Sequence, residues 1–497
     1  MSKVNLHLGI DFGTSFTKVC VRDVVQSFSW LVAFGQGQSC EENMLSSQIG
    51  IMSNGQVLAG LTTEEWKQQK EKEPKIKKID FIKMRLIEVP IDQKLGDSDI
   101  CKLAAYYLSR VIWRSKSWIK ENSGEFFEGE GVDWSAQICV PVQYCDSPII
   151  QVFQKVFDVA WLLSEDLELG SGIPPSDNLS DLTSKIGSLE PAVKALTSSK
   201  RSCSAVPEVT AVIFSSGSNV GENITAVFDI GSGTIEGASC HKRADSSKKN
   251  TLKYYAAKVE WLGVEAIAAE VAQNLRTVTN ESVKKMLFQH SSNLSESLEL
   301  VAQSLLRPLS AGESVISQYR QKDGALKLSQ EAIEQRLSEK SISKEEEKVY
   351  LKLLLAIGNI NRLVGSVIAQ KVKPKEPDSE VYRARLNSAS SLDILICGGG
   401  SQIEFYKDAI LSTYTAFNHN RTVIPKYSLN YLPVPKKDEL SMSGVDRKYY
   451  YRFNVAYGLS DPDLDKMLES KLPSQPSGEH VRYSNPMTGP LPLMDDD

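Results

Sequence analysis

The chain has 497 residues, with 57 Lys plus Arg against 62 Asp plus Glu, a formal net charge of −5, and 41% hydrophobic residues. These values exclude a wholly disordered or collagen-like chain, and the mildly acidic balance excludes a polybasic nucleic-acid or membrane-surface binder. A single hydrophobic core stops growing well before this length, so more than one lobe is expected.

The N-terminus, with Val4, Leu6, Leu8 and Ile10 alternating with polar residues, reads as a strand and not as a signal peptide. The spacing predicts a second strand over 17–22, joined to the first by Asp11-Phe-Gly-Thr-Ser as a tight hairpin. Short strand-like pieces follow over 27–65, with Asn54-Gly55 as a turn signal. Residues 98–121 read as helix, 135–145 as a buried strand, and 147–163 as helix. Ser, Gly, Pro and Asp accumulate over 164–206, which predicts a surface insertion with one short helix. Strand signals return at 209–215 and 224–230, with a further hairpin arm over 234–240. Helical patterns run over 263–307 and 329–371, with a polar, partly strand-like break between them. The most apolar stretch, 351–369, is interrupted by Lys352, Asn359, Asn361 and Arg362, so it reads as a core helix and not a membrane span. Residues 392–397 form a buried strand ending in a glycine run, and 401–414 a helix. Tyr449-Tyr-Tyr-Arg-Phe-Asn-Val reads as a buried strand, and the Pro-rich, acidic 461–497 as a mostly disordered tail. The eight cysteines are scattered without a C-x-x-C pair, so buried thiols and a reducing, cytoplasmic setting are expected.

Three glycine-rich turns each follow an apolar strand: Gly9-Ile-Asp-Phe-Gly-Thr-Ser-Phe-Thr-Lys18, Val227-Phe-Asp-Ile-Gly-Ser-Gly-Thr-Ile-Glu236 and Leu395-Ile-Cys-Gly-Gly-Gly-Ser-Gln402. Glycine lets backbone N–H groups approach an anion, and Thr or Ser adds hydroxyl donors, so such turns suit phosphate oxygens. The carboxylates opening the first two suit a cation held against the same phosphates. The third leads from a strand into a helix N-terminus, which favours a nucleotide edge. One such hairpin is more often a plain tight turn; two of them half a chain apart, followed by Gly-Gly-Gly-Ser, form a pattern. Neither a Walker A sequence nor a G-x-G-x-x-G fingerprint occurs in these loops.

Together the loops resemble the two phosphate loops and adenosine loop of the actin-like ATPase superfamily. The intervening segments resemble the nucleotide-binding domain of the 70-kDa heat-shock (DnaK-type) chaperones in particular. Ser46–Gly60 is similar to the segment after that family's first loop, and Phe81-Ile-Lys-Met-Arg-Leu-Ile to its Lys-Arg-Leu-Ile element. Val140-Pro-Val-Gln-Tyr144 resembles its Val-Pro-Ala-Tyr, Pro207-Glu-Val-Thr-Ala211 its Asn-Glu-Pro-Thr-Ala, and Trp261-Leu-Gly-Val-Glu265 its Leu-Gly-Gly-Glu. The resemblance spans about 4–460 in the right order.

It implies an α/β, two-lobed actin-like ATPase fold of duplicated ribonuclease-H-like subdomains. Lobe I would cover 1–225, with subdomain IB at about 31–133 and the insertion at 164–206; lobe II would cover 226–460, with subdomain IIB at about 262–344. The implied cofactors are ATP or ADP and Mg²⁺. Asp11 and Asp229 would hold magnesium and its waters, Glu208 would position water on the metal side, and Glu236 would stand in the outer metal shell. Gly13, Thr14 and Ser15, and then Gly231, Ser232, Gly233 and Thr234, would donate to phosphates. Gly398, Gly399, Gly400, Ser401 and Gln402 would line the adenosine, with Arg307 and Ser310 facing base and ribose. Lys83 would orient the attacking water, in a reaction that needs positioning and charge stabilisation more than covalent chemistry.

The chain also departs from that family. Met84 holds the place of its lysine, one residue after Lys83; on a strand such a shift turns the side chain to the opposite face. A bulge would restore Lys83 to the site, or Lys83 is one more member of a solvated run with Lys75, Lys77 and Lys78. Gln303, Leu306 and Gln402 thin the adenine side, which weakens affinity or relaxes base choice. Asp146-Ser-Pro-Ile-Ile150 lacks the arginine of the family's proline-linked switch. Some two hundred residues of peptide-binding module find no room in a 37-residue tail. The expectation is a weak Mg-dependent ATPase whose lobes open and close as a switch for an unidentified protein partner, through 164–206 or 461–497. The alternatives are a non-hydrolysing scaffold and an actin-like filament former; no sugar-binding set recommends a sugar kinase.

Overall fold

The alternation of Val4, Leu6, Leu8 and Ile10 forms β1 (Val4–Phe12), which runs by a tight turn into β2 (Phe16–Asp23). The computed structural model describes residues 3–37, 39–89, 99–128, 131–144, 147–174, 176–196, 202–215, 224–244, 250–289, 344–368, 392–413, 426–442 and 444–464. They fall into two units, one within Met1–Gly217 and Pro433–Leu468, the other within Ser218–Leu432.

In the first unit β1 and β2 continue antiparallel into β3 (Phe28–Leu31), while β8 (Val132–Val140) and β10 (Cys203–Pro207) add in parallel on the other side of β1. The order is β10-β8-β1-β2-β3-β16, where β16 (Leu440–Ser441) comes from the C-terminal segment and β4 (Leu45–Ser46) pairs with β2. The alternation in β1 suggests one wet face, yet His7, Gly9 and Asp11 are as enclosed as their apolar neighbours. A central strand with layers packed above and below is buried on both faces, whatever its own alternation. The second face is closed by α11 (Asn454–Leu459), which packs on β1 and on α6 (Glu208–Ser215). Contact is backbone to backbone: a Cβ on Gly9 would lie 2.2 Å from the Ala456 carbonyl oxygen, and one on Gly458 would lie 1.9 Å from that of Ala211. The segment from Pro433 therefore belongs to the first unit and does not close the second, as a boundary of 226–460 supposed.

His7 illustrates the cost of that enclosure. Its Nδ1 lies 2.7 Å from the Ser135 hydroxyl, and burial lowers its pKa to about 4 against an ordinary 6.5. The unfolded chain then takes up a proton as pH falls through 6.5 while the folded chain does not until about pH 4. Stability is thus full above pH 6.5 and declines below it, by about 3 kcal/mol once pH 4 is passed. Denaturant titrations from pH 7 to pH 4 should show this decline in the wild type and a shallower one in His7→Gln.

A smaller sheet, β7-β5-β6-β9, follows in the same unit. β5 (Ile49–Ile51) and β6 (Gln56–Ala59) form the hairpin signalled by Asn54-Gly55, with Gly55 at φ +80°. After β6 comes α1 (Thr63–Lys72), opened by a capping box between Thr62 and Glu65, and then β7 (Lys77–Ile79) and α2 (Ile82–Ile87). α3 (Asp99–Asn122) is buried on nearly every side, so its cations need partners. Arg114 reaches Glu65 (2.6 Å) and the carbonyl of Gly60 (2.9 Å), and Arg110 pairs with Asp177.

Asp177 lies in the expected surface insertion, which is largely exposed and carries one helix, though a longer and better anchored one than its composition suggested. After α4 (Ile149–Glu165), β9 (Asp177–Asn178) joins the small sheet and leads into α5 (Leu179–Ala195), 17 residues long with Leu182 and Ile186 buried. Two further readings change. Residues 209–215 are the helix α6 and not a strand, because the segment follows β10 directly and packs as a layer against α11. The aromatic run Arg447–Arg452 is a 3₁₀ turn leading into α11, also not a strand; Asp446 caps it by accepting from the Lys448 amide at 3.0 Å.

The second unit repeats the first sheet's plan. β11 (Ile224–Ile230), β12 (Ile235–Ala244) and β13 (Asn250–Glu260) run antiparallel, and β14 (Leu392–Cys397) and β15 (Tyr427–Tyr431) add in parallel, giving β13-β12-β11-β14-β15. Three helices, α7 (Val264–Ala272), α8 (Asn280–Phe288) and α9 (Lys344–Ile368), and then α10 (Glu404–Leu411) supply its core. By length and composition α9 could cross a membrane, but 67% of that window is buried. Its Leu353, Ile357, Ile360 and Val364 pack in the core, and buried Asn361 donates to the Ala409 carbonyl at 2.5 Å. It is a core helix. Arg307, Ser310, Gln303 and Leu306, the break between the two helical stretches, and the tail beyond 464 lie outside the described residues.

Candidate functional site

In each unit the central strand carries an aspartate as its penultimate residue, a glycine-containing hairpin turn follows, and the two parallel strands end beside it. Carboxyl ends of parallel strands are where open α/β sheets place their ligands.

In the first unit the register of β1 and β2 sets Asp11 opposite Lys18. Opposed residues share a face, and the Lys18 ammonium lies 2.8 Å from Asp11 Oδ2. The turn has no room for a side chain at Gly13, where a Cβ would lie 2.4 Å from the Phe16 carbonyl oxygen and 3.1 Å from Lys18 Nζ. On the other flank Ile10 is level with Ile138 on β8, which puts Cys139 beside Asp11; its thiol donates to Asp11 Oδ1 at 3.5 Å. β10 is level with β8 at Val206 and Cys139, so Glu208, first residue of α6, arrives at the same edge. Its carboxylate sits at the helix end that favours negative charge.

Lys83 completes this group. It forms a buried ion pair with Glu208, and its ammonium lies 3.9 Å from Cys139 Sγ. The two readings of Lys83 left open by the sequence are thereby decided: it is 4% exposed and belongs to the cluster, not to a solvated run. No bulge is needed. Residues 82–87 are helix rather than strand, entered through Phe81 at φ +59°. Neighbours on a helix diverge by about 100° and not 180°, so Lys83 and Met84 are both buried. Met84 accepts from the Thr14 hydroxyl of the first loop at 3.4 Å.

The loop is steadied from behind by a hydroxyl chain. Tyr107 on α3 donates to Thr17 Oγ1 at 2.8 Å, Thr17 Oγ1 lies 3.0 Å from Ser47 Oγ, and the Ser47 amide donates to the Ser15 carbonyl at 2.9 Å.

The second unit has the same geometry with different charges. Asp229 stands opposite Glu236 on β12, where the first hairpin has lysine, and level with Cys397 on β14. Both carboxylates are buried. The turn between them closes through the Gly231 amide and the Thr234 carbonyl at 2.9 Å. The carbonyls of Gly231, Ser232 and Gly233 accept from the amides of Val264, Glu265 and Gly263, so the Trp261–Glu265 segment holds this loop from its carbonyl side. Gly263 presses so close that a Cβ would lie 2.4 Å from the Ser232 oxygen. The third glycine turn runs alongside. Gly398, at φ +80°, has no space for a Cβ, which would fall 2.1 Å from Asp229 Oδ1, and one on Gly400 would lie 2.4 Å from Ile230 Cγ2. Gly399–Gln402 form a 3₁₀ turn, so the helix proper, α10, starts only at Glu404. The Ser401 hydroxyl closes that turn on the Gly398 carbonyl at 2.8 Å.

The structure thus gathers Asp11, Lys83, Glu208 and the first loop in one unit, and Asp229, Glu236 and the second and third loops in the other. Sequence reading missed Lys18 and Cys139. The signal for Lys18 was present: seven residues after Asp11 across a hairpin, as Glu236 is after Asp229. Cys139 had no such signal, because it is brought to Asp11 by pairing of strands 128 positions apart.

No protein-family profile matches the chain. No curated protein matches it. Among solved structures, it is similar to MreB 5 of Spiroplasma citri bound to AMPPNP, with 11% identity, a TM-score of 0.40, and coverage of 92% of this chain and 95% of that one. Independently of that likeness, both units carry a three-stranded antiparallel meander extended by two parallel strands from its first strand. With an aspartate near the end of the first strand in each, this is a duplicated α/β arrangement, the plan expected from the sequence resemblance.

Proposed function

We propose that the chain binds ATP with Mg²⁺ and hydrolyses it slowly, as a heat-shock-70-like nucleotide switch read by a protein partner. The observation that supports this most is the repeated one: an aspartate at the carboxyl end of the central strand of each unit, directly followed by a glycine and hydroxyl turn. The heat-shock-70 branch is favoured by the five segment resemblances, two of which, Pro207–Ala211 and Trp261–Glu265, frame Glu208 and the second phosphate loop.

The residues fit magnesium unevenly. Asp229 and Glu236 are directly opposed buried carboxylates, a pair of hard oxygen donors of the kind magnesium prefers. Asp11 and Glu208 already face Lys18 and Lys83, so they suit holding the ion's waters better than the ion itself. Magnesium supplies charge neutralisation for the phosphates when bound. Lys18 is added to the phosphate-binding set, since its ammonium overlies the first loop. Lys83 and Glu208 orient water: the ammonium donates, the carboxylate accepts.

Calorimetry with Mg-ATP should show binding to the wild type. Lys18→Met should weaken it about ten- to hundredfold, the worth of a charge-assisted hydrogen bond, and Asp229→Ala should remove the magnesium dependence. Absence of Mg-ATP binding by the wild type would falsify the proposal. Light scattering that rises on adding ATP would instead assign the same site to a polymerising ATPase.

A further inference from the structure

We propose that Asp11, Cys139 and Glu208 form a binding site for a thiophilic divalent cation of the zinc or cadmium type, with Lys83 as the resident competitor. The site goes beyond the magnesium–nucleotide reading and does not rest on it: all three donors belong to one unit, and no phosphate is required.

One ligand atom from each residue lies within 4.8 Å of the other two, and all three side chains are buried. The Cys139 sulfur stands 3.5 Å from Asp11 Oδ1. Across a tetrahedral zinc, with Zn–S near 2.3 Å and Zn–O near 2.1 Å, sulfur and oxygen are separated by about 3.6 Å. That edge of the coordination shell is already in place, and Glu208, within 4.8 Å of both, has to close by at most about 1.4 Å to complete it.

Charge supports the same exchange. Without metal, Asp11 is balanced by Lys18 and Glu208 by Lys83, with the thiol neutral between them. With a divalent ion bound, the thiol gives its proton to solvent and the Lys83 side chain carries its ammonium out of the buried group to solvent. Three anionic ligands, one divalent cation and Lys18 again sum to zero. A buried site tolerates an exchange that preserves neutrality far better than one that does not.

The sulfur decides the class of ion. Two carboxylates alone suit Mg²⁺ or Ca²⁺, whereas a thiolate beside them selects softer metals. The second unit supplies a contrast. Cys397 holds the position equivalent to Cys139, yet its thiol donates to the Phe228 carbonyl at 3.7 Å, and no such cluster forms around it among the described residues.

The test is titration of the full-length, nucleotide-free protein with Cd²⁺ in excess Mg²⁺, followed by the ultraviolet cadmium–thiolate band. One equivalent is expected, with the band lost in Cys139→Ser and affinity raised about tenfold in Lys83→Met. A band of full size in Cys139→Ser, or no band in the wild type, overturns the proposal. So does displacement of Cd²⁺ by Mg²⁺. Should the cysteine variant fail to fold, cadmium NMR on the wild type counts the sulfur ligands directly: one supports the site, none or several refute it. Since ATP is absent throughout, this outcome is independent of whether the protein binds nucleotide.

Discussion

Glu208→Ala should destabilise the protein by about 3–5 kcal/mol, because it leaves the Lys83 ammonium in a buried position without its carboxylate. The loss is a penalty of stranding and not the net worth of the pair, and the two are separable. In Lys83→Met/Glu208→Ala no charge is stranded, and most of the stability should return. Denaturant midpoints of the two single variants and the double variant form the necessary cycle. If the double variant is as unstable as Glu208→Ala, the pair is not buried as described. ATP turnover provides a second axis. Should Lys83 and Glu208 orient water together, the double variant regains stability but not hydrolysis, which no purely structural role would produce.

The second large effect is expected at Gly458. Its Cα faces the backbone of Ala211, and a Cβ would lie 1.9 Å from that carbonyl oxygen and 2.5 Å from its carbon. Backbone cannot step aside as a side-chain tip does. Gly458→Val should therefore push α11 off α6 and β1, at a cost of about 3 kcal/mol, visible as a lower melting temperature. Gly187 is the control: it lies within α5 with nothing near its absent Cβ. Gly187→Ala should leave stability unchanged or raise it by about 0.5–1 kcal/mol, the ordinary gain in helix propensity. Equal behaviour of the two variants would mean that α11 does not seat on the first unit.

α11 also matters for the chemistry. It closes the face of β1 opposite the apolar alternation, and β1 carries Asp11 at its end. Loosening it disturbs the strand that positions Lys18 and Cys139 beside that aspartate. Gly458→Val is thus expected to weaken nucleotide binding although its site of change lies one helix away.

Read from its residues, the chain disclosed what is written locally. Hairpins with Asp-x-Gly turns, the buried strand before Gly398, the long helix α3 and the core helix α9 all follow from periodicity and turn chemistry over short windows. The relation between Asp11 and Lys18 also lay in the sequence, since a hairpin turn sets its register. Long-range pairing was not legible. Nothing near residue 139 says that it will stand beside residue 11, because strand order in a parallel sheet is settled by the packing of whole layers. Lys83 and Met84 show the same limit at finer scale: their order is plain, but which of them enters the cluster depended on whether the backbone there was strand or helix. Residues 209–215 and 449–455 were misread as strands for the kindred reason that short apolar runs fit either period, and contact with neighbouring layers chooses between them.

The insertion over 164–206 marks the far end of that scale. Its composition is that of a surface loop, yet Asp177 meets Arg110 and the two residues of β9 pair with β6, so tertiary contact anchors its helix to the small sheet. By itself, then, the sequence determined the repeated aspartate hairpins and hence the kind of fold and ligand to expect, because those depend on residues a few positions apart. Only the tertiary structure decided the more distant company those aspartates keep: a thiol and a Lys–Glu pair around the first, and a glycine turn pressed against the second. Charge and burial at a site are sums over neighbours distant in sequence, and no local pattern contains them.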